Sequence, residues 1–336
     1  MNGGTRWVLR AGQVVLVLLV AWGIYRAVTG AGDFEWRALT MWRPSPGPLL
    51  LSLTLLIGVY IAHALLWRRV MIDLRVARPP VHTTLRVYFL AGLGRYIPGK
   101  VWQLAGVAIL AGKSGLPAGG AAASALLGQF AFLATGFLFL AVLLPEWNGG
   151  PAARVAGVLL VAAAGGLWVI AATPRGQRIR EWARTRFGEN VAAAIDLAER
   201  IRGWDTILWG VWYGLTWVLT GIAFSLFVSS FVPGAGEHAR QLAGSVAASY
   251  LVGYLVLFAP AGIGVREGAM ASLLAAVPSV PLSAAVTVAV ASRIWFTLAE
   301  LAPLLVLPLL SRGAAASDGP PEAVGSSENR GQGGTG

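Results

Sequence analysis

Six ionisable side chains stand inside apolar stretches of this sequence: Arg95, Lys100, Arg266, Glu267, Arg293 and Glu300. Four of them flank two Pro/Gly interruptions, GRYIPGKVWQ at 94–103 and PAGIGVREG at 260–268. A charge at membrane depth is costly and persists where it finds a counter-charge or a polar substrate. Pro98 removes an N–H and Gly99 permits close backbone approach, so a new helix is expected to start there. Its free N–H groups, with Lys100 beside them, would make an anion site. The competing reading is that Arg95 and Lys100 snorkel to an interface. Arg266 and Glu267 follow Gly262 and Gly264 in the same way. Glu267 has Lys100, Arg95 and Arg293 as candidate partners, or serves as a coupling carboxylate.

Arg293 and Glu300 are seven residues apart, two turns along one helical face, and pairing with the second interrupted segment is expected. Gln103 and Gln129 are read either as hydrogen-bonding glue between helices or as head-group contacts. His63 is read as a packed, hydrogen-bonded residue, with a proton relay as the alternative. The six charges sum to a surplus of two positives, which favours an anionic ligand such as a phospholipid or polyprenyl-phosphate head group. The substrate-binding set is therefore Arg95, Pro98, Gly99, Lys100, Gln103, Gln129, Pro260, Gly262, Gly264, Arg266, Glu267, Arg293 and Glu300.

Nothing comparable points to catalysis. The chain has no cysteine, so thiol and cysteine–metal chemistry are excluded. His63, His82 and His238 lack metal-ligand spacing, and there is no phosphate-binding loop or recognisable nucleophile motif. The expectation is a protein that is not an enzyme and needs no cofactor or metal.

The elements that hold these residues are membrane helices. The 336 residues are 56% apolar and 12% charged, against about 25% charged for a globular domain. The net charge of +11 rests almost wholly on arginine. In such a chain it points to cytoplasmic loops facing anionic lipid, and no nucleic-acid partner is expected. A helix crosses a bilayer in about 20 residues. Spans are expected at Val8–Val28 (a signal anchor), Leu49–Leu66, Ala121–Leu144, Val155–Ala172, Ile207–Phe231 and Leu282–Leu310. Two broken segments remain, Thr84–Leu110 and Leu242–Val277. The fold class is thus an all-α polytopic membrane protein with about six spanning helices and two broken re-entrant segments.

Arginine-rich loops at Trp67–Arg86 and Pro174–Trp204 are expected in the cytoplasm. The two spans between them return the chain to its starting side, so the first broken segment must enter and leave on that side. The second has arms of about 15 to 17 residues and is read as re-entrant from outside, which leaves both termini cytoplasmic. The stretch 174–204 has an amphipathic period and is expected to lie at the interface. Residues 1–311 form one transmembrane unit, and 312–336 read as a disordered tail.

Aligning Pro98 with Pro260 brings Pro117 near Pro281 and Gln129 onto Arg293. Units 49–144 and 207–310 then share one order: a span, a broken segment and a Pro-started span. By the charge parity they would be inverted repeats, with the substrate between the two breaks.

At these two motifs the chain resembles the lysylphosphatidylglycerol synthase transmembrane-region family of flippase-like membrane proteins. Pro98, Gly99 and Gln103 match a Pro-Gly break followed by a polar position. Pro260, Gly262, Gly264 and Glu267 match the pattern Pro-x-Gly-x-Gly-x-x-Glu. Lys100 stands where many relatives carry other residues. The resemblance spans nearly all of 8–310 and implies movement of polar lipids or lipid-linked intermediates across the cytoplasmic (inner) membrane. The expected partners are membrane lipids, either anionic phospholipid or polyprenyl-phosphate-linked species, with envelope-biosynthesis enzymes as a further expectation. One branch adds a soluble aminoacyl-transferase domain; that domain is expected to be absent, so synthase activity is not implied. Two alternatives stand beside transport: a membrane partner of envelope glycan or glycolipid assembly, and a proton-coupled small-solute carrier.

Overall fold

The computed structural model describes residues 43–96, 101–143, 203–255 and 264–317. The expected spans Val8–Val28 and Val155–Ala172, and nearly all of the amphipathic stretch 174–204, lie outside those residues. The described chain is all α, with eight helices and no strand among the described residues. Helix α1 is Pro46–Asp73, α2 is Val81–Gly92, α3 is Val101–Lys113 and α4 is Ala118–Leu143. Helix α5 is Gly203–Phe231, α6 is Ala239–Leu255, α7 is Val265–Ala275 and α8 is Leu282–Ser317. A 3-10 turn, Leu93–Tyr96, continues α2, and another, Ala235–His238, precedes α6.

Among the described residues four helices are long and apolar enough to cross a bilayer: α1, α4, α5 and the Leu282–Leu305 part of α8. They leave large apolar side chains bare, such as Phe130, Leu138 and Val142 on α4. On α5 the exposed residues Ile207, Val211, Leu215, Val218 and Ile222 recur every three or four positions. Water would penalise such stripes, whereas lipid tails do not. The protein is a multi-pass membrane protein.

Charges at the membrane edge extend the helices beyond the spans that hydropathy marks. The loop expected at Trp67–Arg86 shrinks to residues 74–80, because α1 continues to Asp73 and α2 begins at Val81. Arg69 pairs with Asp73 one turn away at 3.0 Å, and Trp209 Nε1 donates to Asp73 at 2.9 Å. Arg68 Nε donates to the Pro79 carbonyl at 2.7 Å. At the other end of the chain α8 continues past Leu310 to Ser317, so residues 312–317 of the expected tail are helical. The alanines at 314–316 favour that extension.

Helix directions follow from contacts at both ends of each pair. Helices α1 and α5 are antiparallel: Ser45 N–H donates to Ser230 O at 2.8 Å, while Asp73 meets Trp209. Helices α4 and α5 are parallel. A Cβ added at Gly128 would meet the Tyr213 hydroxyl, and one at Gly136 would meet the Trp217 ring. Leu143 and Gly203 therefore lie at opposite ends of the bundle. Helix α4 is antiparallel to α1, since Trp67 Nε1 donates to Ser124 Oγ at 3.1 Å and His63 abuts Phe132 at 4.8 Å. The end of α1 and the start of α4 thus lie on one side.

Between them, α2 and α3 fold into a hairpin. A Cβ on Gly106 would sit 3.3 Å from Ala91 Cα, and one on Gly94 would touch the Trp102 carbonyl. The hairpin leaves and returns on the same side of the bundle. Helices α6 and α7 repeat this device: a Cβ on Gly253 would lie 2.9 Å from Arg266 Cβ. Val232 and Ala235, just past α5, share a core cluster with Val277, Val280 and Ala284 around the start of α8. At 11 residues α7 is too short to cross alone. It stops at Ala275 because Pro278 disfavours a helical residue before it, which shortens the arm expected to reach Val277.

The units α1–α4 and α5–α8 also pack alike. The contacts α1·α2, α2·α3, α3·α4 and α1·α4 have counterparts α5·α6, α6·α7, α7·α8 and α5·α8. Across the units, α1·α8 matches α5·α4 and α2·α8 matches α6·α4, while α1·α5 maps onto itself. Exchange of the two units leaves this pattern unchanged.

Candidate functional site

A cavity of about 320 Å3 lies at the centre of the bundle, and all eight described helices line it. Arg95, Gln103, Gln129, Arg266, Arg293 and Glu300, six of the residues selected from sequence, share its wall. Ile97–Lys100 and residues 256–263 lie outside the described residues, so Pro98, Gly99, Lys100, Pro260 and Gly262 have no placement here.

Helix α8 ties the two hairpins together. Arg95, in the turn that ends the first arm of hairpin α2–α3, lies 3.1 Å from Glu300 Oε1, and its Nε also donates to Gly92 O. The Glu300 side chain is 4% exposed. Gly92 admits it: a Cβ there would meet Glu300 Oε1 at 3.1 Å. Two turns earlier on α8, Arg293 Nη1 lies 3.4 Å from Glu267 Oε1 on α7. The pairing of α8 with the second segment thus runs through Arg293, while Glu300 reaches across to the first.

Glu267 stands just behind the cavity wall. Its Oε2 accepts the Gly264 N–H at 2.6 Å, so the carboxylate caps its own helix. Gly264 sits at φ +84°, a conformation that disfavours any side chain, which explains glycine at that turn. The N-terminus of α7 is therefore already served by an anion of its own.

Arg266 differs from Arg95 and Arg293. Its guanidinium carbon stands 3.9 Å from the Phe296 ring centroid and 5.2 Å from that of Tyr250. Among the described residues no carboxylate pairs with it, and its Nη2 is buried without a hydrogen-bond partner. Gln129 Nε2 is likewise buried and unbonded. The described wall thus holds three arginines, with Glu300 in the wall and Glu267 behind it. One positive charge is left over.

Sequence reasoning passed over the aromatic part of the wall. Tyr60, Tyr88, Tyr213, Tyr250 and Tyr254 line the cavity with Phe132, Trp217 and Phe296. Phe132 stacks on Trp217 at 4.6 Å, and both meet Tyr250 edge-on at 5.6 Å. One signal was present in the sequence: Tyr250 and Tyr254 are four apart, on one face of a helix. His63 joins the wall with its Nε2 bonded to Thr216 Oγ1 at 2.9 Å, as the packed reading expects.

No curated protein and no solved structure matches the chain. One family does, the one described as Lysylphosphatidylglycerol synthase TM region, over residues 10–300. That match takes in both hairpins, the paired helices α1 and α5, and the cavity between them. The chain belongs to the lysylphosphatidylglycerol synthase transmembrane-region family.

Proposed function

We propose that this protein is a flippase-like transporter that carries a polar, anionic lipid or lipid-linked intermediate across the cytoplasmic membrane without altering its covalent bonds. In this reading α1 and α5 are equivalent spans of an inverted repeat, and the two hairpins are re-entrant, one from each side. The antiparallel course of α1 and α5 and the pattern preserved on exchange of units support it. Such repeats place a substrate near the midplane, between broken helices. The termini then face the cytoplasm, as the arginine-rich stretches favour.

The observation that carries the reading is Arg266. A buried cation without an acid partner is costly. A phosphate entering the cavity would supply the missing charge through charge-assisted hydrogen bonds. Arg95 and Arg293 already hold Glu300 and Glu267, which leaves Arg266 as the described cation best placed to take the head group.

The test is transbilayer movement of nitrobenzoxadiazole-labelled phosphatidylglycerol in vesicles reconstituted with the full chain, read by dithionite quenching. Arg266→Met keeps the bulk and removes the charge. A hydrogen bond to a charged group is worth about 1.5–3 kcal/mol, so transfer should fall at least about tenfold. The variant should reconstitute and melt like the parent. Equal transfer rates in parent and variant would overturn the proposal.

A further inference from the structure

The neutral groups around Arg266 say what the rest of the ligand is. Tyr60, Tyr88, Tyr213 and Tyr250 face one cavity, and none of their hydroxyls is hydrogen-bonded among the described residues. The Gln103 amide is also without a hydrogen bond there, and Gln129 Nε2 is buried and unbonded. Gly128 clears the space that the Tyr213 hydroxyl occupies: a Cβ would come within 2.7 Å of it. Buried polar groups are normally paired, so a wall with this many uncommitted hydroxyls and amides is built for something that both donates and accepts.

The two acids at the site, Glu267 and Glu300, are each paired with an arginine. An ammonium head group would have to compete with Arg95 or Arg293 for those carboxylates, beside the unpaired charge of Arg266. A bare phosphate would use Arg266 and leave the hydroxyls idle. Polyols and sugars, whose every hydroxyl is donor and acceptor, match the wall, and aromatic rings present flat apolar faces to their C–H groups. The volume, about 320 Å3, lies at the low end for ligand pockets and is sufficient for one such unit.

Resting on the transport reading above, we infer that the head group is a single hydroxyl-rich unit, one sugar or polyol, joined through a phosphate. The phosphate sits on Arg266, and the hydroxyls reach the tyrosines and glutamines.

Binding to the purified full chain in detergent tests this with four short probes: dihexanoyl-phosphatidylinositol, dihexanoyl-phosphatidic acid, dihexanoyl-phosphatidylethanolamine and free inositol 1-phosphate. The inositol lipid should bind at least about tenfold more tightly than either other lipid, because polar groups left unpaired by the wrong ligand are penalised. Tyr60→Phe/Tyr250→Phe keeps both rings and removes two hydroxyls. The ratio should then fall below about threefold, while an unchanged melting temperature shows the fold intact. If free inositol 1-phosphate binds as tightly as its lipid, the head-group chemistry is supported and its source becomes a soluble phosphopolyol. A ratio near one, or a ratio that the double variant leaves unchanged, overturns this inference while phosphate binding, and with it the transport reading, stands. If no anionic probe binds, both fail.

Discussion

Arg95 and Glu300 meet at 3.1 Å across two elements that the sequence separates by some two hundred residues. Removing one partner of a buried pair strands the other, which costs about 3–5 kcal/mol, whereas replacing both with apolar groups is often close to neutral. Glu300→Ala should therefore lower the melting temperature markedly. Arg95→Met/Glu300→Leu should restore more than half of that loss, and thermal unfolding in detergent measures both. If the double variant is as unstable as the two single losses added together, the pair is not the unit described. At this scale the sequence was partly legible. The seven-residue spacing put Arg293 and Glu300 on one face of α8, as found. Which hairpin each would meet was not readable, since both hairpins offer charges at their breaks. The tyrosines were missed because an aromatic on an apolar helix reads as core, and only the fold shows five of them turned toward one space.

The hairpin is the element on which the site depends. Gly106 and Ala91 approach so closely that an added Cβ would lie 3.5 Å from Ala91 Cβ, within the range of a disulfide. The chain has no cysteine, so Ala91→Cys/Gly106→Cys gives an unambiguous crosslink assay. Oxidation should close a bond within one chain, seen as faster migration on a non-reducing gel that a reductant reverses. Free thiols after oxidation, in protein that otherwise folds normally, would contradict the hairpin. Its existence was legible, because Pro98 and Gly99 sit in the middle of an apolar run and leave two arms too short to cross. The Trp67–Arg86 loop was misjudged because arginines read as loop. Here Arg69 instead completes a helical turn with Asp73. The end of α7 was misplaced for a related reason, since apolar residues continue to Val277 while Pro278 has already ended the helix.

At the scale of the molecule, two units of the same order pack so that their first helices run in opposite directions and their hairpins share one cavity. The paired prolines had suggested such an order. The packing exchange and the helix directions are not visible there, because they depend on contacts such as Ser45 with Ser230 and Asp73 with Trp209 that no spacing announces. The family follows from the chain as a whole, whereas the proposed ligand rests on the wall of one cavity. The most direct measurement is an electron cryomicroscopy structure of the full chain in nanodiscs containing phosphatidylglycerol. The account predicts a phosphate inside the cavity within about 2.7–2.9 Å of the Arg266 guanidinium, with the Arg95–Glu300 pair still formed. A cavity holding only water, with every lipid phosphate at the bilayer surface, would contradict it.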